Sequence, residues 1–229
     1  MIKKFENFDH FSKKYREIHD KNLRLSGANS DYFCEYKILE VKKHEKTKKE
    51  LKILDVGCGD GSSEEFFSKH FSKSKITGID VSKVSIKVAK DKKIPRCSFL
   101  NYDGEKIPFK DNTFDVIFVA CVFHHINKNF HQKIADEIMR VLKPKGRLYI
   151  FEHNPLNPLT QYMVNDCIFD KNAELIRSSE LVKLFKIMKK EIFYTIFFPR
   201  SNFFKFLVPL EKYLIKMPFG GQYFVKLVK

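Results

Sequence analysis

The sequence has few cysteines and no long apolar segment. Its five cysteines are odd in number and widely spaced, and no two form a C-x-x-C pair. This argues against a disulfide framework and against a zinc knuckle, and favours a reducing cytoplasm. The longest apolar run, Val116 to Phe123, is too short to cross a bilayer, and the first fifteen residues contain no stretch of signal-peptide length. We therefore expect a cytoplasmic protein without a transmembrane segment or an export signal.

The sequence also lacks internal repeats, low-complexity tracts and Gly/Ser linkers. Its 229 residues, of which 43% are hydrophobic and 31% charged, suit one globular α/β domain with additions and are few for two domains. We predict an N-terminal helical lid or cap over residues 1–50 and a single catalytic domain over residues 51–229.

The formal net charge of +15 raises the question of a nucleic-acid partner, because clustered cations bind phosphate backbones. Lysine supplies nearly all of this charge and is scattered through every segment. Its densest run, Lys42 to Glu50, is interrupted by glutamates. We therefore expect no nucleic-acid partner, although a basic chain keeps RNA as an alternative substrate.

Strand and helix signals alternate through the middle of the chain. Five apolar runs bounded by turn residues predict strands at 51–57, 74–80, 96–103, 112–120 and 146–153. Helical patterns fall between them at 62–71, 82–91 and 129–143, and the last is expected to end at Pro144 and Gly146. Such alternation predicts a parallel sheet covered by helices on both faces.

The alternation of strand and helix signals stops after Glu152. Two Asn-Pro pairs in NPLNPLT predict a rigid loop, followed by a helix over 178–190, a strand over 190–198, a tail helix, a Gly-Gly turn and a last strand. The tail, FFPRSNFFKFLVPLEKYLIK, mixes aromatic residues with lysine. It suits either a membrane interface that admits a lipid-linked acceptor or a core-facing helix, and the helix is preferred because the last strand needs a crossover connection.

The most specific signal is the glycine loop LDVGCGDGSS (54–63), where a strand ends and a helix begins at once. Dinucleotide dehydrogenases also carry a glycine-rich turn after their first strand. Counted from Gly57 and Gly59, their G-x-G-x-x-G fingerprint would place its third glycine at Ser62, whereas this sequence has Gly61. The spacing argues against a dinucleotide.

Charge gives a second test of the loop. Asp55 and Asp60 place two carboxylates where a dinucleotide would bring its phosphates, and like charges would meet there. A sulfonium ligand that carries an ammonium group and no phosphate suits an acidic loop. Asp80, about 20 residues further on, can accept both hydroxyls of a ribose and fits either cofactor.

Four collinear segments between about Leu51 and Glu152 resemble class I S-adenosylmethionine-dependent methyltransferases, specifically the small-molecule, type 11-like branch. The resemblance implies a Rossmann-like three-layer sandwich with a seven-stranded, mostly parallel sheet and an antiparallel last strand. It also implies that S-adenosylmethionine is the cofactor and S-adenosylhomocysteine the product.

The resemblance assigns roles to individual residues. It places Asp55, Gly57, Cys58, Gly59 and Gly61 at the methionine end of the cofactor. Asp80 corresponds to the acid that binds the ribose, Val81 lies beside the adenine, and Asp103 corresponds to the acid that binds the adenine amino group. Gly104, Ala120 and, in the lid-like N-terminal segment, Tyr15 complete the expected cofactor pocket, with Tyr32 and Lys37 as further lid candidates. Cys58 and Cys121 are otherwise expected to be packing residues.

The sequence gives a weaker signal for the residues that bind the methyl acceptor than for those that bind the cofactor. Methyl transfer requires alignment and exclusion of water, and a base helps when the acceptor is a hydroxyl. His125 is the main candidate base, with His124 and Glu152 as further catalytic candidates near the carboxyl edge of the sheet. His124, His125, Glu152 and His153 are of metal-ligand type, but no i, i+4 pairing supports a site, and no metal is expected.

The sequence thus predicts methylation of a small-molecule acceptor, with oxygen ahead of nitrogen and with glycan or specialised-metabolite biosynthesis as the suggested setting. A sugar- or lipid-linked acceptor is compatible with this prediction. RNA methylation and a non-catalytic S-adenosylmethionine-binding scaffold are the alternatives. The oligomeric state does not follow from the sequence.

Overall fold

The computed structural model describes residues 27–45, 50–167, 170, 173–186 and 189–229. The strands are β1 (Lys52–Val56), β2 (Lys75–Asp80), β3 (Cys97–Asn101), β4 (Phe114–Ala120), β5 (Leu142–His153), β6 (Lys189–Thr195) and β7 (Gln222–Val228). The helices within these residues are α1 (Ser30–His44), α2 (Ser62–His70), α3 (Lys83–Asp91), α4 (Lys128–Val141), α5 (Pro158–Asp166), α6 (Ser178–Leu181) and α7 (Glu211–Leu214). The described residues also form 3₁₀ turns at Phe123–His125, Val182–Leu184 and Lys205–Leu210.

The strands form one sheet in the order β3-β2-β1-β4-β5-β7-β6. The first five strands of this order pair in parallel, and β7 is antiparallel to both β5 and β6. Six strands therefore run one way and β7 runs the other, which confirms the predicted class I architecture. The strand order reverses between β1 and β4, and in open α/β sheets ligands bind at the carboxyl ends of the strands at such a point.

Alternating side chains of the strands build a core on each face of the sheet. Leu54 and Val56 of β1 belong to the core that packs against α4, whereas Ile53 belongs to the opposite core. Ile38 and Val41 of α1 lie in that opposite core. The described part of residues 1–50 thus packs on the sheet, and its action as a lid stays a prediction.

Asparagine and serine side chains begin most of the longer helices. Asn29, Ser82, Asn127 and Asn157 each accept a hydrogen bond from a backbone N–H in the first turn of α1, α3, α4 and α5, respectively. These caps satisfy N–H groups that have no partner inside the helix. The helix start predicted at residue 129 is therefore displaced by one residue, to Lys128.

The predicted boundary at the end of α4 is wrong. The helix stops at Val141, and Leu142 already pairs with Phe114 as the first residue of β5. The next pair is Val116 with Arg147, so residues 143–146 form a bulge in the strand. Pro144 and Gly146 lie in this bulge, where no ladder hydrogen bond to β4 is required of them.

Two C-terminal predictions are also corrected. The helix expected over 178–190 is only α6 with the following 3₁₀ turn. The tail expected to be a core-facing helix is a 3₁₀ turn joined to α7, and Phe203, Phe206 and Tyr213 are exposed. Pro209 lies inside the 3₁₀ turn and lacks the N–H that a regular helix needs. Among the described residues, no helix combines the length and the apolar character that crossing a bilayer requires.

Candidate active site

The glycine loop follows β1 and holds its backbone in a left-handed conformation, with φ of 81° at Gly57 and 54° at Gly59. The N–H groups of Gly57 and Cys58 donate to the Ile79 carbonyl at 2.8 and 3.1 Å, which fastens the loop to β2. A Cβ on Gly57 would lie 2.4 Å from Cγ2 of Val122, whereas a Cβ on Gly59 would meet no atom of the described residues within 4 Å. Within that part of the chain, Gly59 therefore presents bare backbone.

Asp80 connects the glycine loop to the end of β2. Its Oδ2 accepts from the Gly59 N–H at 2.9 Å and its Oδ1 from the Ser82 N–H at 2.8 Å. The adjoining Val81 carbonyl accepts from the Asn101 amide at 2.8 Å. Asp80 thus links the glycine loop to the turn after β2, at the carboxyl edge of the sheet.

Two buried carboxyl groups lie under the loop. Burial and the charge of Asp80 raise the pKa of Asp55 to about 8, against the opposing charge of Lys37. Glu64, on α2, has no exposed surface, and neither of its oxygens has a hydrogen-bond partner among the described residues. Burial and the neighbouring Asp55 raise the pKa of Glu64 well above its ordinary value. Burial thus favours the protonated form of both groups, and nothing in the sequence distinguishes Glu64 from an ordinary helix glutamate.

The sequence predicts that Asp60 presents a free carboxylate to the ligand, but in the structure Asp60 pairs with Lys92. Its Oδ1 accepts from the Ser62 N–H at 3.2 Å, and its Oδ2 lies 3.0 Å from Lys92 Nζ. Asp60 is neutralised by this ion pair and supports the start of α2, so the loop does not offer a ligand two free carboxylates. The spacing of the glycines remains the stronger argument against a dinucleotide.

Asp103 lies in an exposed turn after β3. Its Oδ1 accepts from the N–H groups of Glu105 and Lys106 at 2.8 and 3.0 Å, and these bonds lower the pKa of Asp103. Gly104 follows with a φ of 78°, which explains a glycine at this position. Ala120 ends β4 at the same edge of the sheet. Contacts of Asp103, Gly104 and Ala120 with an adenosine stay predictions.

His124 and Glu152 form a fully buried ion pair beyond β4. His124 Nδ1 lies 2.5 Å from Glu152 Oε2, while Glu152 Oε1 accepts from the N–H groups of Val122 and Phe123 at 3.1 and 2.8 Å. Burial opposes the charge on His124, but Glu152 and Asp170 outweigh it and raise its pKa to about 10. His124 is thus an imidazolium at neutral pH, and Glu152 holds the 3₁₀ turn after β4 in place. This arrangement suits both residues to positioning, and His124 lacks the free proton-accepting nitrogen of a base.

His125 has the opposite electrostatic surroundings. Burial and the positive charge of His124 lower its pKa to about 3, despite Asp170 Oδ1 at 3.4 Å from its Nε2. The side chain keeps 21% of its surface exposed. His125 is therefore a neutral imidazole at the carboxyl edge of the sheet, and it can exchange hydrogen bonds with a bound acceptor.

Asp170 completes this group and was not found from the sequence. Its Oδ1 lies 3.6 Å from His124 Nε2, and the ligand-type atoms of His124, His125 and Asp170 lie within 4.8 Å of one another. The sequence groups Glu152 and His153 with the two histidines as residues of metal-ligand type. In the structure Glu152 binds His124 Nδ1. The side chains that could together ligate a metal are therefore those of His124, His125 and Asp170. The expectation of no metal stays a prediction.

Cys121 and Lys37 form a second pair that the sequence analysis missed. Lys37 Nζ, on α1, lies 3.5 Å from Cys121 Sγ, and Cys121 has a positive φ of 58° directly after β4. Burial disfavours the thiolate, but Lys37 and His153 outweigh it and lower the pKa of Cys121 to about 7. Lys37 therefore favours the thiolate form of Cys121, and the expected packing role stays a prediction. Burial raises the pKa of the Cys58 thiol, which fits the expected packing role.

Tyr32, a further lid candidate, contacts Arg200. The Tyr32 hydroxyl accepts from Arg200 Nε at 2.7 Å beside a cleft of about 820 Å³ lined by the start of α1 and residues 200–209. Lys37 instead reaches the ends of β4 and β5. Tyr15 lies outside the described residues.

Comparison with known proteins finds similarity over part of the chain. Residues 54–150 match the family described as "Methyltransferase domain". A phthiotriol/phenolphthiotriol dimycocerosates methyltransferase of Mycobacterium ulcerans is 29% identical over 112 residues, 48% of this chain and 41% of that protein. A demethylmenaquinone methyltransferase of Thermotoga maritima is 34% identical over 106 residues, 46% of this chain and 45% of that protein. The chain thus spans less than half the length of either relative.

Solved structures share the fold over almost the whole chain. A SAM-dependent methyltransferase of Thermotoga maritima, described as a possible histamine N-methyltransferase, has a TM-score of 0.69 at 18% identity and covers 98% of this chain and 99% of its own. A SAM-dependent methyltransferase of Archaeoglobus fulgidus has a TM-score of 0.68 at 14% identity, over 88% of this chain and 95% of its own.

Proposed function

We propose that this chain, whose residues 54–150 form a methyltransferase domain of the class I, S-adenosylmethionine-dependent kind, transfers the methyl group to a hydroxyl of a small-molecule acceptor. The observation that carries the proposal is the glycine loop at the end of β1. Its Gly59 backbone, with the Asp80 carboxylate that binds the Gly59 N–H, lies at the point where the strand order reverses.

The residues present fit the cofactor. Gly57, Gly59 and Gly61 would adjoin its methionine end, Asp80 would hold the ribose, and Val81 with Asp103 would border the adenine. Asp55 would become a carboxylate when a cation binds nearby, because a positive charge favours its ionised form. When bound, S-adenosylmethionine supplies an electrophilic methyl group on a positively charged sulfur.

The chain's own contribution is orientation and exclusion of water. Glu152 binds two backbone N–H groups and His124, and so fixes the turn that carries His125. His125, being neutral, accepts a hydrogen bond from the acceptor hydroxyl and orients its lone pair. The hydroxyl proton becomes strongly acidic as the new C–O bond forms, so even a weak base such as His125 can take it.

The relatives support a small-molecule acceptor. Their names specify phthiotriol dimycocerosates and demethylmenaquinone as the molecules methylated, and neither name specifies a nucleic acid. The glycan or specialised-metabolite setting rests on the sequence resemblance alone.

The proposal is tested by following labelled methyl groups from S-adenosylmethionine into pools of hydroxylated small molecules and, separately, into RNA. We expect label in a small-molecule pool. Label in RNA alone would support the RNA alternative, and cofactor binding without transfer to any pool would support a scaffold.

A further inference from the structure

The connection between β6 and β7, residues 196–221, exposes large apolar side chains. Phe203 is 76% exposed, Phe206 and Tyr213 are each 72% exposed, and Phe219 is 59% exposed. Leu210 and Met217 in the same segment are also exposed. An exposed apolar surface of this extent is expected where a protein meets a membrane or another molecule.

The charges of this β6–β7 connection are of one sign at its surface. Lys205, Lys212 and Lys216 are exposed among the aromatic residues. The one acid in the segment, Glu211, is buried, pairs with Arg200 at 2.7 Å and accepts from the backbone N–H of Phe197. The exposed surface of the connection therefore carries cations and no anion.

The β6–β7 connection lies at the edge of the sheet that carries the candidate site. Because β6 runs in the same direction as β5, the connection begins at the carboxyl edge. Asn154, two residues after Glu152, donates to the carbonyls of Pro218 and Gly220 at 3.0 and 2.7 Å. The Asn157 amide donates to the Phe219 carbonyl at 2.8 Å. These bonds fasten the connection to the loop that leaves β5.

The loop after β5 and α5 add apolar surface beside these bonds. Leu156, Leu159 and Tyr162 are 44%, 45% and 59% exposed. Their neighbour Asn157 is the residue that binds the Phe219 carbonyl. The exposed apolar residues thus come from two segments joined at the carboxyl edge.

From this arrangement we propose that the β6–β7 connection docks onto the surface of an anionic lipid bilayer and turns the carboxyl edge of the sheet toward the membrane. Aromatic rings and leucines enter the boundary between headgroups and acyl chains, and lysines pair with anionic headgroups. Single-stranded nucleic acid also binds aromatic residues and cations. The aliphatic Leu156, Leu159, Leu210 and Met217 offer no stacking surface to bases, which favours the bilayer.

This inference deepens the proposed function, because it gives a membrane-embedded acceptor a route to the site. Docking itself does not depend on methyl transfer. The two are therefore tested separately, with vesicle binding measured on the full chain in the absence of cofactor.

The test is co-sedimentation with vesicles of phosphatidylcholine alone and of phosphatidylcholine mixed with phosphatidylglycerol. We expect binding to the anionic vesicles, weaker binding to the neutral ones, and loss of binding as salt is raised.

Paired variants assign the binding to this surface. Lys205→Gln with Lys212→Gln, and separately Phe203→Ser with Phe206→Ser, should each weaken binding roughly tenfold or more. Lys83→Gln with Lys87→Gln removes the same charge from α3, which packs on β2 and β3 at the other end of the sheet, and should change binding little. Leu100→Ser, at an exposed residue of β3, is the control for the lost apolar surface.

Three results would overturn the docking proposal. The first is the absence of any preference for anionic vesicles. The second is equal weakening by the α3 variants, which would reduce the effect to net charge. The third is a dimer or an RNA complex that Phe203→Ser with Phe206→Ser abolishes while vesicle binding is absent. S-adenosylmethionine binding by the same variants reports on the proposed function independently and should not change.

Discussion

His124 and His125 are adjacent in the chain but have opposite protonation states, and this difference separates positioning from contact with substrate. His124 is fully buried between Glu152 and Asp170, whereas His125 keeps part of its surface exposed beside Asp170. The sequence motif VFHHIN gives no means of telling them apart. The distinction arises from Glu152, 28 residues away, which binds only the first histidine.

Replacement of His125 by Ala should lower kcat about a hundredfold with the natural acceptor, because the acceptor hydroxyl loses the group that orients it. The affinity for S-adenosylmethionine should stay the same. Steady-state kinetics with calorimetry on the same variant measure both quantities. Unchanged turnover would remove His125 from the mechanism.

His124 should remain protonated at pH 8, since its pKa is raised to about 10. Histidine signals in NMR spectra between pH 6 and 9 test this prediction, and the His124 signal should not titrate in the wild type. In Glu152→Gln the signal should titrate within this range. Removing one partner of a buried pair is costly, so Asp170→Asn, which also removes a carboxylate beside His124, serves if Glu152→Gln does not fold. A wild-type His124 that titrates near pH 6.5 would contradict the ion pair.

Cys121 should react with iodoacetamide much faster than Cys97 at pH 7.5. The pKa of Cys121 is lowered to about 7 by Lys37 and His153 against the effect of burial, whereas burial raises the pKa of Cys97 to about 12. Lys37→Met should move the pH dependence of the reaction to higher pH, and Lys37→Arg should largely preserve it. Mass spectrometry of the labelled peptides gives the rates. Equal rates at the two cysteines would refute an activated thiol.

At the scale of elements, hydrophobic periodicity predicted the alternating strands and helices that build the sheet. It failed where a residue's role depends on a distant partner. Pro144 and Gly146 are typical of a helix end, yet they lie in a bulge of β5 because Leu142 pairs with Phe114. Asp170 reaches the site from a segment without a motif, and Lys37 meets Cys121 across 84 positions of the chain.

Glu64 on α2, whose carboxyl oxygens have no hydrogen-bond partner among the described residues, makes the support of the glycine loop sensitive to pH. Its pKa is raised in the folded state, so the native chain binds more protons than the unfolded one above the ordinary carboxyl pKa, and stability falls as pH rises in that window. Glu64→Gln removes this loss. Its stability relative to wild type should therefore increase as the pH rises above the ordinary carboxyl pKa, by up to about 1.4 kcal/mol per pH unit.

Urea denaturation of wild type and Glu64→Gln at several pH values measures this difference. The control is Glu65→Gln at the next position, where the side chain is exposed and pairs with Lys92. That variant should follow the wild-type pH dependence. Parallel curves for Glu64→Gln and wild type would show that the buried carboxyl does not titrate as described.

At the scale of the whole molecule, the sheet order brings the glycine loop, the His125 turn and the β6–β7 connection to one edge. The first two were predicted from the sequence because each directly follows a strand. The exposure of the β6–β7 connection was not predicted, because aromatic residues mixed with lysine are also typical of a core-facing helix. Exposure depends on how the connection crosses the sheet edge, which residue periodicity does not determine.

The central claim is that the loop after β1 binds S-adenosylmethionine through the open backbone of Gly59. Titration calorimetry of S-adenosylmethionine and NADH into wild type and Gly59→Asn tests it most directly. Asparagine tolerates the left-handed backbone, and a Cβ there meets no atom within 4 Å among the residues that the structure describes, so the variant should fold. The account predicts S-adenosylmethionine binding by wild type, at least about tenfold weaker binding by the variant, and no NADH binding by either. NADH binding by wild type, or equal S-adenosylmethionine affinity in a folded Gly59→Asn, would contradict it.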